Sequence, residues 1–331
     1  MIYYRPLAQT GPRRPGSAVP LAGGWAWFTH VEALSRGAPG RIVSVADVPA
    51  DALARLTGDR APMAGLSMAR PHLMGILNVT PDSFSDGGRL SNVERVRERA
   101  GAMVAAGASL LDIGGESTRP GAALVPVAEE MSRVMPALEA VQGLPCAISV
   151  DTRKAEVARA ALNAGAHLFN DVSALTFDPA SMDVLRETGA PVCLMHALGD
   201  PATMQDAPRY DDVLLDVYDF LEARIAACEA AGISRSRIMV DPGIGFGKTL
   251  EHNLTLLRGL SLFHGLGCPI LLGVSRKRFI GTIGGAAEAD QRAPGSIAVG
   301  LEGIRQGAQV LRVHDLEDTA QALALWQAVA V

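Results

Sequence analysis

Seven residues carry much of the chemistry this chain can offer, and they are of two kinds. Asp112, Asp151, Asn170 and Asp241 each lie at or near the end of a short apolar run. Carboxylates and amides gathered at one place accept and donate paired hydrogen bonds to a flat nitrogen heterocycle. Such a site rejects analogues without the matching N–H groups, because its own buried polar atoms would go unpaired. Lys277, Arg312 and His314 fall at the last two apolar runs. These are cations or ready to become so, and the forked arginine head suits phosphate. The two sets, sorted into an acidic floor and a separate basic cluster, describe a site for a polar heterocycle beside an anion, most naturally phosphate.

A scaffold must bring these distant positions together. From Pro71 onward, short apolar runs alternate with longer amphipathic stretches. The runs are Leu73–Leu77, Ser109–Ile113, Ala147–Val150, His167–Phe169, Val192–Met195, Ile238–Val240, Pro269–Val274 and Gln309–Val313. Runs this short and continuous suit parallel strands buried on both faces. Between them Val93–Ala106, Ala155–Ala164 and Val213–Ala231 space their apolar residues as helices do. Each stops at a glycine, Gly107, Gly165 or Gly232, a common end signal. Eight β-then-α units over about 260 residues predict an α/β fold of the TIM (β/α)8 class, with a doubly wound sheet as the alternative.

In such a barrel the mouth lies at the C-terminal strand ends. The eight runs lead in turn to Asn78, Asp112 with Gly114-Gly115-Glu116, Asp151, Asn170-Asp171, His196, Asp241, Ser275-Arg276-Lys277, and Arg312 with His314. Wet strand ends explain some of these polar residues. They do not explain one after every run, so the pattern predicts a functional mouth. The loops after strands seven and eight commonly build a phosphate site in this fold, and the cations fall there. Thr80–Gly88 and Gly114–Gly121 are rich in glycine and small polar residues and are expected to be mobile loops that close over substrate. Asp241–Thr249 looks like a nucleotide P-loop, but that pattern needs glycine where Pro242 stands.

The rest of the composition narrows the class. Of 331 residues, 48% are hydrophobic and 20% charged, which excludes wholesale disorder and allows one large core. A net charge of −5 argues against a nucleic-acid partner without excluding a small anionic ligand. Cys146, Cys193, Cys228 and Cys268 form no C-x-x-C pair and read as isolated thiols in a reducing cytosol. No uncharged run reaches the roughly 20 apolar residues of a membrane span. Arg5, Arg13 and Arg14 hint at a transit peptide, but Pro6, Pro12, Pro15 and Pro20 would break its helix. A cytoplasmic protein is expected. Residues 1–70 differ from the rest. They are rich in Pro, Gly and aromatics, Trp25 and Trp27 among them. Trp25–Val31 and Arg41–Val45 read as short strands and Pro49–Leu56 as a short helix. The segment is expected to be an N-terminal extension that packs away from the mouth. It should be dispensable for chemistry, so that a chain starting near Ala69 still turns over. Residues 71–331 would form the catalytic barrel.

Two long stretches resemble the signatures of one family. Met74-Gly75-Ile76-Leu77-Asn78-Val79-Thr80-Pro81-Asp82-Ser83-Phe84-Ser85-Asp86-Gly87-Gly88 resembles the first signature of the dihydropteroate synthases, and Asp112-Ile113-Gly114-Gly115-Glu116-Ser117-Thr118-Arg119-Pro120-Gly121 the second. Ser149–Thr152, Asn170-Asp171, Met195-His196, Asp241–Lys248, Gly273–Lys277 and Arg312–Asp315 resemble further motifs in the family's order. The likeness spans about residues 71–330. It departs at Leu198, where a polar residue is common.

The resemblance implies a TIM barrel that joins 6-hydroxymethyl-7,8-dihydropterin diphosphate to p-aminobenzoate. It implies that Asp151, Asn170, Asp241 and Lys277 hold the pterin, with Asp112, Met195 and Phe246 close by. It implies Mg2+ on Asn78, the diphosphate on Arg312 and His314, and a p-aminobenzoate pocket shaped by Thr118, Pro120, Phe246 and Ser275. Phe84 and Arg119 would belong to the closing loops. Both substrates are small molecules, and a homodimer is implied by the family's habit. An S_N1-like departure of diphosphate follows, with anion stabilisation by Mg2+, Arg312 and His314. No Ser-His or Cys-His pattern suggests a protein nucleophile. Two alternatives remain. One is a related pterin barrel that moves a methyl group from methyltetrahydrofolate to a corrinoid, which would not need Lys277, Arg312 and His314. The other is an inactive homologue serving as a folate-enzyme partner.

Overall fold

The computed structural model of the protein describes residues 1–79, 89–117, 122–199 and 207–330, with the side chains of 89–92 left aside. The N-terminal residues build a small layer of their own. It contains β1 (Tyr3–Pro6), β2 (Val19–Pro20), β3 (Trp27–Phe28), β4 (His30–Ser35), β5 (Ala38–Ser44) and α1 (Ala50–Thr57). β4 lies between β1 and β5 in an antiparallel sheet, and β2 pairs with β3. The single strand expected at Trp25–Val31 is therefore broken in two. Trp27 and Phe28 pair with β2, and the chain then joins the other sheet from His30.

Eight parallel strands follow: β6 (His72–Asn78), β7 (Leu110–Gly114), β8 (Ala147–Asp151), β9 (Leu168–Asp171), β10 (Val192–Met195), β11 (Ile238–Asp241), β12 (Leu271–Leu272) and β13 (Val310–Val313). Their order is β11-β10-β9-β8-β7-β6-β13-β12, and a parallel bridge from Val240 to Ile270 joins the two outer strands. The fold is a TIM barrel. Helices α2 (Arg89–Ala105), α3 (Val127–Val141), α4 (Ala155–Asn163), α5 (Ser181–Thr188), α6 (Val213–Ala230), α7 (Leu250–Arg258), α8 (Arg278–Gly284), α9 (Ala293–Arg305) and α10 (Leu316–Ala330) fill the crossovers. β12 is followed by two helices, α8 and α9.

Side chains alternate across a strand, and here the alternation divides the core in two. Leu73, Leu77, Leu111, Ile113, Ile148, Val150, Phe169, Leu194, Val240, Leu272 and Leu311 belong to the large cluster shared with the helices. Met74, Leu110, Ala147, Leu168, Cys193, Met239, Leu271 and Val310, one from each strand, form a separate cluster inside the barrel's foot. Met63 and Met68 complete it from below, where Met63 and Leu66 pair across a tight turn. The N-terminal segment is also tied to the outside of the barrel. Trp25 Nε1 donates to Ile304 O at 2.9 Å, Ser261 Oγ to Pro6 O at 2.7 Å, and Arg60 Nη2 to His264 O at 3.0 Å. A cut near Ala69 would remove Met63 and Met68 from the barrel's own core, a cost the sequence did not reveal.

Candidate active site

Two residues further along each strand, the same inward face turns polar. The step from the apolar layer leads from Leu110 to Asp112, Ala147 to Ser149, Leu168 to Asn170, Met239 to Asp241 and Val310 to Arg312, with Ile76 and Met195 on two of the remaining strands and Gly273 just past the end of β12. Another step of two reaches Asn78, Gly114 and Asp151, which share one level by strand register. The period of two that builds the core thus also stacks the site upon it. Asp112, Asn170 and Arg312 lie within their strands rather than at the ends.

The structure brings Asp112, Asp151, Asn170 and Arg312 into one network. Asp112 Oδ2 accepts from Asn170 Nδ2 at 3.0 Å and from Arg312 Nε at 2.6 Å. Arg312 Nη2 donates to Asp151 Oδ2 at 2.8 Å. This corrects the expected separation of an acidic floor from a basic cluster: Arg312 is part of the floor. Nor does Arg312 pair with Asp315, whose carboxylate takes Arg276 instead. Asp112 Oδ1, Asp151 Oδ1 and Ser149 Oγ are buried with no hydrogen-bonding partner in the chain. Buried acceptors are rarely left so, and here a ligand or ordered water must bring the donors that the chain does not.

Burial raises the Asp151 carboxyl from its ordinary value, against the pull of Arg312, and Asp112 adds to the rise. Asp241 is raised as well, chiefly by burial, while the Gly243 N–H at 2.7 Å and Lys277 draw it down. Arg312 loses by burial, but Asp112 and Asp151 more than offset that and hold its pKa above the ordinary value.

The other predicted residues gather on the loops above. Lys277 Nζ stands 4.1 Å from the centroid of the Phe246 ring, a cation–π contact. Ser275 Oγ accepts from the His314 backbone N–H at 3.1 Å and lies 2.9 Å from His314 Nδ1. That bond ties the loop after β12 to the loop after β13, and Arg276–Asp315 ties them again. Met195 is buried below the Gly243 turn. Thr118, Arg119, Pro120 and Phe84, and with them all of the first expected closing loop and half of the second, lie outside the described residues.

Several expectations are redirected. Asp171 faces away from the lumen and accepts from Ser173 N and Leu175 N, so it caps a turn. His196 is engaged by Lys248 at 2.9 Å, a residue the sequence placed only within a glycine-rich motif. Glu116 joins a buried charge cluster with Arg153, Lys154 and Glu130. Its Oε1 accepts from Val125 N at 2.8 Å, across the base of the second signature loop. Ser149 was named only within a motif and given no role, though the two-residue step from Ala147 points to it.

Mg2+ demands few protein ligands when phosphate and water supply the rest. No group of three or more His, Cys, Asp or Glu side chains among the described residues is placed to cage a metal. Asn78 offers an amide oxygen beside Asp151. A methyl group on Gly114 would sit 3.5 Å from Asn78 Oδ1 and 3.7 Å from Asp151 Oδ2, in the space between them. The two oxygens are of the hard kind that Mg2+ accepts.

A family model described as pterin binding enzyme matches residues 74–314. The chain belongs to this family. It is 47% identical over 264 residues to the dihydropteroate synthase of Escherichia coli strain K12, covering 80% of this chain and 93% of that one. The dihydropteroate synthase of Neisseria meningitidis serogroup C is 45% identical over 269 residues, covering 80% and 95%. Among solved structures, Xanthomonas albilineans dihydropteroate synthase with 4-aminobenzoic acid aligns with a TM-score of 0.76 and 49% identity, over 82% of this chain and 97% of that one. The same enzyme in complex with 7,8-dihydropteroate aligns with a TM-score of 0.73 and 45% identity, over 82% and 98%.

Proposed function

We infer that this chain is a transferase of folate biosynthesis. It condenses 6-hydroxymethyl-7,8-dihydropterin diphosphate with p-aminobenzoate, releasing 7,8-dihydropteroate and diphosphate. The observation that carries this reading is the pair of buried, unpartnered oxygens, Asp112 Oδ1 and Asp151 Oδ1, beside Asn170 and Arg312. A pterin edge has the N–H donors and ring acceptors that such a floor lacks.

Asp112, Asp151, Asn170 and Asp241 orient the ring, with Met195 and Phe246 against its faces. Lys277 reaches the ring from above Phe246. The C–O bond to the diphosphate breaks, and its electron pair leaves with the diphosphate. The methylene's positive charge spreads into the pterin, where the floor carboxylates stabilise it. Arg312 uses Nε and Nη2 on the carboxylates, which leaves Nη1 for the departing anion together with His314. The aniline nitrogen attacks the methylene and its surplus proton passes to solvent. Thr118, Pro120, Phe246 and Ser275 shape the p-aminobenzoate pocket, and Arg119 belongs to a closing loop. Asn78 would hold Mg2+, which would supply charge neutralisation on the diphosphate when bound.

A homodimer is proposed on the face of α10, where Leu325 and Val329 lie one turn apart and are 65% and 85% exposed. Sedimentation at micromolar concentration checks it. A cytoplasmic location accords with four unpaired thiols. The chain's reaction is tested by mixing it with the pterin diphosphate, p-aminobenzoate and Mg2+ and following diphosphate and dihydropteroate together. Equal amounts of both products are expected. A cooperatively folded sample that releases neither would overturn the assignment.

A further inference from the structure

Lys248 is buried, yet nothing in the condensation calls for it. Protonated, its nitrogen has three N–H donors, and three acceptors surround it; burial draws its pKa down to about 7, a fall that Asp241 opposes. Nζ is 2.9 Å from His196 Nδ1, 3.3 Å from His196 O and 2.9 Å from Phe246 O. For His196 Nδ1 to accept, the ring must be neutral with its proton on Nε2. Burial first, and the nearby Lys248 second, push the His196 pKa down to about 2. The clamp joins two loops that already touch. A methyl group on Gly243 would meet His196 O at 1.8 Å, and one on Gly247 would meet Leu198 Cβ at 2.7 Å. Both glycines have positive φ, so a side chain is excluded twice over. Asn253 Oδ1 accepts from Gly245 N at 2.7 Å and Tyr210 OH donates to Gly247 O at 2.8 Å. Lys248 takes the carbonyl between them, that of Phe246. The Phe246 ring in turn carries Lys277, whose Nζ is 4.1 Å from its centroid.

We propose that Lys248 is a positioning residue for the condensation: it fastens the loop after β11 to the loop after β10 and thereby fixes the Phe246 ring under Lys277. A lysine that served only to fill the core would be replaceable by an apolar side chain of its own length. A lysine that aims Phe246 would not, because releasing the Phe246 carbonyl lets the ring drift from the wall of the p-aminobenzoate pocket. This rests on the reaction proposed above. The two fail differently: a folded parent chain without turnover counts against the reaction, and variant kinetics equal to an active parent's count against the clamp.

Lys248→Met keeps the stem and removes the donors. It is expected to raise the KM for p-aminobenzoate on the order of tenfold, with kcat within about threefold, because a displaced wall weakens ground-state and transition-state binding alike. In the Phe246→Leu background the same change should add less than about threefold, because the ring it aims is gone. Should Lys248→Met not fold, Lys248→Gln, which keeps two N–H donors, is judged by the same criteria with a smaller KM change. A third measurement needs no variant. Two-bond 1H–15N spectra of the parent should show His196 neutral with its proton on Nε2, and in a folded Lys248 variant its ring shifts should move. The proposal is overturned by a KM within twofold of the parent's, by an equal change with and without the Phe246 ring, or by a His196 ring protonated on Nδ1.

Discussion

Replacing Arg312 with methionine should make stability fall with pH more steeply than in the parent. Methionine keeps the stem and removes the guanidinium that bonds Asp112 Oδ2 at 2.6 Å and Asp151 Oδ2 at 2.8 Å. Breaking a buried ion pair by removing one partner typically costs about 3–5 kcal/mol. The Arg312 side chain is 22% exposed, so water already screens part of that interaction, and roughly 2–3 kcal/mol is expected. For a chain of this size about 2 °C per kcal/mol applies, which gives a drop of about 5 °C. The sign of the pH effect follows from Asp151. Its folded pKa is already raised by burial, and Arg312 holds it down. Without Arg312 it rises further, while the unfolded value stays near about 3.9. Between those two values the folded state binds more protons, so stability is lost as pH rises through the window. The deficit relative to the parent should be largest at pH 8 and less than half as large at pH 5, where Asp151 takes up a proton and no longer needs a cation. Thermal melts at both pH values, with diphosphate release measured on the same samples, check it. Arg312→Lys should fall between, retaining charge but only one arm of the fork. An equal drop at both pH values, or none, would refute the idea that Arg312 neutralises the floor.

Three further outcomes follow from the same structure. Asn170→Ala removes the donor to Asp112 Oδ2 and should weaken pterin binding by about 1–2 kcal/mol, read by calorimetry; unchanged affinity would take Asn170 off the pterin floor. Lys154→Met leaves Glu116 with Arg153 and strips from Glu130 the ion pair it makes with Lys154; it should cost about 3 kcal/mol in urea unfolding, much of it recovered by adding Glu130→Met. Deleting residues 1–58 should lower the melting temperature yet leave turnover measurable in the cold, whereas deletion through Ala69 also strips Met63 and Met68 from the barrel foot and should give no cooperative melt at any temperature.

How much of this was legible beforehand depends on which physical signal each part carried. The eight strands could be read because strands buried on both faces are continuous apolar runs, and Leu110–Gly114 or Val192–Met195 have few alternatives. β12 shrank to Leu271–Leu272 from a longer expected run, and α8 with α9 gave little warning because Gly281, Gly284, Gly285, Pro294 and Gly295 interrupt any helical pattern. β1 was missed since Tyr3–Pro6 ends in proline and owes its place to Tyr3 packing with Tyr218 and donating to Asp219 at 2.9 Å. In the site, residue types were legible and partners were not. Asp112, Asp151, Asn170 and Asp241 announce themselves by following apolar runs. That Arg312 joins Asp112 rather than Asp315 depends on which layer of the lumen each occupies. Counting two residues up from the apolar layer would have given that, and would also have found Ser149. Lys248 and the Glu116–Lys154–Glu130 cluster come from contacts between loops or helices far apart in sequence, which local patterns do not record.

Of the ten buried residues at the barrel's foot, five carry sulfur: Met63, Met68, Met74, Cys193 and Met239. Methionine is unbranched, flexible and polarizable, so the bed beneath the charged layer can yield where a bed of valine and isoleucine would be stiff. A small tilt of Asp112 or Arg312 can be followed from below without opening a void. The same softness is a chemical liability. Oxidation of Met74 or Met239 to the sulfoxide would set a fixed dipole directly under the carboxylates, far from any surface where a repair enzyme could reach it without unfolding the barrel. Damage there would persist for the lifetime of the folded chain.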